Sequence, residues 1–135
     1  MNLADVMDEV GDQLDTIEGL RVFRYPPDVV VPPAAVVTYP AEYLYDATYG
    51  RGSDTMDLRV IVLVGKVSDR KSRDLIAAYV NGSGPASVKA VLEAGEYTAF
   101  DTVRVEGVEF DVIKVAAVEH LAASFTLDIA GPGTP

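Results

Sequence analysis

The 135-residue chain contains no cysteine, no tryptophan and a single histidine, His120. Without cysteine there is no disulfide scaffold, no thiol nucleophile, and no thiolate-zinc or iron–sulfur chemistry. One histidine cannot build a multi-histidine metal site or a proton shuttle. Positive charge is also scarce, with 11 Lys and Arg against 21 Asp and Glu and a formal net charge of −10. Such a surface repels phosphate and argues against sequence-reading DNA or RNA binding. No apolar run approaches the ~20 residues that span a bilayer, so no membrane partner is expected. The opening Met1-Asn2-Leu3-Ala4-Asp5 has no basic stretch and carries acid where a signal peptide would be apolar, so synthesis in a cytoplasm is expected.

What is present is enough apolar sequence for a core, at 49% of residues. The length fits one domain, since domains cluster near ~100–150 residues. The expectation is a single domain over residues 1–130 with a flexible C-terminal tail over 131–135.

From Leu3 to Ile17, Leu3, Val6, Met7, Val10, Leu14 and Ile17 recur every three or four residues, the stripe of an amphipathic helix. Six acids and no base occupy the first 20 residues, more than half of the net charge. Gly11 costs that helix about 1 kcal/mol relative to alanine, and Gly19 is a natural stop. Two apolar runs, Arg21–Tyr25 and Ala34–Tyr39, are bounded by Pro26-Pro27, Pro32-Pro33 and Pro40, and so read as edge strands or extended connectors. Tyr43–Thr48 reads as a further strand turning through Tyr49–Asp54. Met56–Val64 is the clearest strand, and its unbroken aliphatic half, Val60–Val64, predicts cover on both faces at the sheet centre.

Ser68 or Asp69 caps a predicted helix to about Val80, with Leu75, Ile76, Tyr79 and Val80 as its apolar stripe. Pro85 suits the first turn of a second short helix, Ala86–Glu93. In the C-terminal third, Gly107 reads either as a hairpin turn or as a bulge inside one long strand, and Ala116-Ala117 as a possible turn. Leu121, Ala123, Phe125, Leu127 and Ile129 alternate with polar or small neighbours, a half-buried antiparallel strand. The order predicts an α+β fold: a mixed or mostly antiparallel sheet with an N-terminal helix and two central helices packed on one face.

Few residues invite chemistry. His120 lies beside Glu119 and four residues before Ser124, and the register places His120 and Ser124 on the solvent side of the last strand. Arg70, Lys71 and Arg73 between Asp69 and Asp74 read as a solvated helical turn with local ion pairs rather than a phosphate grip. Gly50-Arg51-Gly52-Ser53 and Asn81-Gly82-Ser83-Gly84-Pro85 lack the order of phosphate-binding loops. The acidic sets Asp5-Asp8-Glu9-Asp12 and Glu106-Glu109-Asp111 lack calcium-loop spacing. No catalytic constellation, metal or cofactor is assigned. Four of the seven tyrosines, Tyr39, Tyr43, Tyr45 and Tyr49, fall within eleven residues. Tyrosine favours half-wet surfaces and subunit contacts, so these four with Arg51 form the candidate subunit or docking interface. The edge beside the acidic first helix is a second candidate.

The stretch Met56–Gly65, then Asp69, Tyr79 and Gly84-Pro85-Ala86-Ser87-Val88-Lys89, with Val105-Glu106-Gly107 and Leu121–Phe125, resembles tail terminator proteins of long-tailed, actinobacteria-infecting phages. The resemblance covers roughly residues 3–130. It implies a non-enzymatic virion subunit at the tail–head junction that forms a homo-oligomeric ring, usually a hexamer. Its partners would be the tail tube protein and head-completion proteins, and DNA would pass through the lumen without sequence-specific binding. No contact residue of the family is defined by a motif, so none is carried over, and Ala116-Ala117 stands where glycines are expected. Head-closure and adaptor proteins of the same neck are the alternative, followed by a small cytoplasmic α+β enzyme or ligand-binding domain using His120 and nearby carboxylates.

Overall fold

A computed structural model describes residues 1–45, 53–115 and 117–132. The first helix, α1 (Leu3–Leu14), is capped by Asn2, whose side chain accepts from the Asp5 N–H at 3.0 Å. It is three residues shorter than the periodicity predicts, because Ile17 is buried from the turn that follows. Gly11 has a reason to be glycine: a Cβ there would lie 2.5 Å from Cγ of Arg24, so the helix can approach the first strand closely only without one.

Six strands form one sheet among the described residues: β1 (Arg21–Phe23), β2 (Ala34–Val37), β3 (Tyr43–Leu44), β4 (Ser53–Lys66), β5 (Thr102–Val115) and β6 (Val118–Pro132). The order is β1-β2-β4-β6-β5, with β3 pairing β4 beyond the end of β2. Only β1–β2 is parallel. The sheet is therefore mostly antiparallel, as the sequence predicts. β4 is central, as its aliphatic run requires, and Leu63 and Val64 on opposite faces are both buried.

Two corrections concern proline-bounded segments. Ala34–Val37 is neither edge nor connector: it lies inside the sheet between β1 and β4, and all four residues are buried. Prolines flank it without interrupting its ladder, so their missing donors cost nothing there. Pro85 lies in a turn, and the helix starts three residues later at Val88, where the Ser87 hydroxyl accepts from the Ala90 N–H at 3.1 Å. That helix, α3 (Val88–Ala94), and α2 (Arg70–Val80), capped by Asp69 as expected, join α1 against the sheet.

The long strands pack the core. Met56, Leu58, Val60 and Val62 of β4 alternate inward with Ala123, Phe125, Leu127 and Ile129 of β6. The residue alternative at Gly107 resolves to a bulge: the register of β5 on β6 shifts between Val105 and Gly107 within one continuous strand. Ala117, at φ 66°, makes the β5–β6 turn in the left-handed region that glycine usually occupies. β6 continues two residues into the stretch read as a tail, where Gly131 is buried opposite Asp54. Residues 133–135 lie outside the described residues.

Candidate functional site

The tyrosine segment divides in the structure. Tyr43 is half-buried on β3, packs against the core, and donates its phenol O–H to Oδ2 of the buried Asp54 at 2.9 Å. Burial first, and then that bond and the Asp54 charge, push its pKa up to about 12. Tyr43 therefore fastens β3 to β4. Tyr45 rests against it, ring centroids 4.8 Å apart, yet is 77% exposed, and Tyr39 is 62% exposed. Tyr49 and Arg51 lie outside the described residues.

Tyr39 instead meets the second candidate, the edge beside α1. With Leu3, Ala4, Met7, Arg24 and Tyr25 it lines a groove of about 190 Å³, and Asp8 stands on its rim. Sequence spacing hides this set, because α1, β1 and the end of β2 meet only through the fold. Arg24 is held there by Asp12, its Nε donating to Oδ1 at 2.8 Å. Its charge is thus answered locally, which leaves Asp8 as the groove's other charged residue.

At the far edge of the sheet, β5 presents a different surface. Phe110 lies opposite buried Ala123 and Val112 opposite Leu121, so both face the helix side, yet they are 59% and 44% exposed. The helices stop short of this part of the arm formed by β5 and β6. Lys114 continues the same row, opposite Glu119. Two outward N–H groups of this edge already have acceptors. Val105 donates to Oε2 of Glu93 on α3 at 3.0 Å, and Val112 to Oδ1 of Asp111 at 2.8 Å. Such local acceptors blunt an edge against the addition of another strand.

The face of the sheet away from the helices carries an acidic group that sequence grouping missed. Glu106, read with Glu109 and Asp111, instead comes within 4.8 Å of Asp57 and Asp128 through their carboxylate oxygens. Strand register alone creates the set: Asp57 pairs with Asp128, and the β5 bulge adds Glu106. Three carboxylates at that spacing have the oxygen donors a hard divalent cation takes.

The other candidates are plain. His120 Nδ1 sits 3.1 Å from the Val118 carbonyl oxygen. Ser124 lies four residues further along the same strand, about 13 Å away at the rise of an extended chain, so the two do not form an acid–base pair. Asp69 is the α2 cap, accepting from the Lys71 N–H at 3.0 Å, and Arg73 is paired with Asp74 at 3.1 Å. Among the described residues, no helix is long and apolar enough to cross a membrane.

No protein-family model and no curated protein matches this sequence. Its fold is similar to that of a chain in the solved virion of a native gene transfer agent particle, with a TM-score of 0.55 over 96% of this chain and 96% of that one, at 15% identity. At that identity the likeness is one of fold, and it extends over nearly the whole of both chains.

Proposed function

We propose that this chain is a structural subunit of a virion, a tail terminator that assembles as a ring, six-fold in the manner of the family it resembles, on the end of a tail tube and joins it to the head. The observation that carries the reading is the end-to-end fold similarity to a chain of a gene transfer agent virion. The sequence resemblance to tail terminators, reached independently from the β4 and β6 motifs, points the same way.

The surfaces support it. Heterologous contacts that close into a ring need two different patches on each subunit, and the α1 groove and the β5 edge are unlike each other and lie at opposite edges of the sheet. A net charge of −10 keeps free subunits soluble and leaves a lumen that lets DNA slide without gripping it. The subunit acts through shape and association, and no bond-making step is assigned to it.

The test is to add the purified protein to tail tubes assembled without a terminator and image their ends. Rings capping the tubes support the reading. Rings that ignore tubes and bind DNA-filled heads point to a head-closure or adaptor role. Turnover of a substrate that is lost in His120→Ala overturns both.

A further inference from the structure

We propose that the ring closes by seating the β5–β6 arm of one copy in the α1 groove of the next, with Phe110 and Val112 as the inserted side chains and Lys114 facing Asp8. The proposal deepens the ring reading and rests on it.

Three observations carry it. The first is size. The groove measures about 190 Å³, and an engineered cavity of about 150 Å³ accepts a benzene ring. One phenyl side chain fits, and Phe110 is the exposed phenylalanine of the arm. The second is charge. α1 carries Asp5, Asp8, Glu9 and Asp12 with no base of its own, and exposed Asp8 stands at the groove. Five of the eleven basic residues, Lys66, Arg70, Lys71, Arg73 and Lys114, gather at the turn end of the arm and the start of α2. Asp69, Asp74 and Glu119 lie among them, which leaves that end mildly basic where α1 is acidic. Opposed patches of this kind orient two copies head to tail. The third is the blunted edge. Glu93 and Asp111 occupy N–H groups on the rim of β5, so the arm is suited to docking through side chains rather than by extending a neighbour's sheet.

The absence of cysteine makes a clean test possible. Val112→Cys and Tyr39→Cys, both at exposed positions, are placed in one chain and the assembled protein is oxidised. A heterologous contact joins position 112 of each copy to position 39 of the next. The expected result is a ladder of covalent multimers up to the ring number on a denaturing gel, while each single variant stays monomeric. Separately, Phe110→Asp is expected to raise the concentration needed for assembly by about tenfold or more. Lys114→Glu is expected to weaken assembly, and combination with Asp8→Lys to restore it. If rings form by light scattering but the double-cysteine chain gives no ladder and Phe110→Asp assembles as the parent does, the contact lies elsewhere and only this proposal falls. If the parent protein stays monomeric alone and beside tail tubes, the ring reading falls and takes the proposal with it. Circular dichroism of each variant separates lost assembly from lost fold.

Discussion

β4 has two neighbours that treat it differently. On one flank β6 follows it from Ser53 to Lys66 with a single register shift near Gly65. On the other, β2 pairs at Val60–Leu63 and β3 at Thr55–Met56, with residues 38–42 crossing between them. The continuous flank buries alternate residues of both strands and is where the fold is held. The interrupted flank has short ladders joined by residues 38–42, which bond β4 through Thr38, Ala41 and Glu42, and the chain around them puts Tyr25, Val29, Val31, Tyr39 and Tyr45 into solvent. The contrast separates buried residues that make the fold from exposed ones available to a neighbour.

The largest effect belongs to the continuous flank. Leu127 is fully buried opposite Leu58. Leu127→Ala is expected to cost about 2–5 kcal/mol from lost burial and the cavity left behind. Urea unfolding measures it; a loss below about 1 kcal/mol, the size of a tolerated volume-conserving swap, would show that β6 is not the seam of the core.

β2 helps make the fold on the interrupted flank, and so does Tyr43 on β3. Tyr43→Phe keeps the ring but removes the donor to Asp54, an expected cost of about 1–2 kcal/mol. The pH dependence identifies the cause. A phenol whose folded pKa is raised to about 12 lends stability that is fully present below its ordinary value of 10 and is lost as pH rises through about 12. The gap between parent and Tyr43→Phe should therefore narrow over that range. Tyr97, also raised to about 12, titrates alike in both proteins and cancels. A gap that stays constant through this window would remove the phenol bond from the account.

α1 covers the interrupted flank, and Glu9 holds it down at the far side. Its carboxylate accepts from the Thr98 N–H at 2.8 Å, the Thr98 hydroxyl at 2.9 Å and the Ala99 N–H at 2.6 Å. Burial alone would raise its pKa, but these bonds carry it below the ordinary carboxylate value. A depressed folded pKa lends stability that is present above the ordinary value of 4.5 and lost as pH falls through the lower folded value. Glu9→Gln is expected to cost about 1 kcal/mol at pH 7, and the difference should vanish on acidification. A difference that persists at low pH would assign Glu9 a packing role instead.

Much of this arrangement is legible in the residues, and the part that is not has a common cause. Alternation locates β4 and β6, and Asp69 announces α2, because those signals are local. Ala34–Val37 reads as an edge since prolines flank it, yet burial by β1 and β4 is decided by pairing partners 13 to 29 residues away. The same holds for the surfaces. Tyrosine clustering marks the segment but cannot tell Tyr43, which finds Asp54 across the ladder, from Tyr45, which stays largely exposed against its neighbour's ring. The groove beside α1, and Phe110 on the arm, exist only once the strand order is known.

Tyr45 sharpens the contrast from the opposite direction, since it should matter little to folding. Its ring rests on that of Tyr43 and is 77% exposed. Exposed positions of that kind change stability by about 0.5 kcal/mol or less, so Tyr45→Ala should unfold at nearly the parent's midpoint. Assembly is a separate measurement, because an exposed tyrosine ring is the type of side chain that anchors subunit contacts. If Tyr45→Ala lowers neither stability nor ring formation and tail capping, the docking surface does not extend along β3, and it contracts to the α1 groove that Tyr39 shares. If stability holds while capping is lost, the docking surface runs along β3, and the exposed side chains of this flank serve a neighbour rather than the fold.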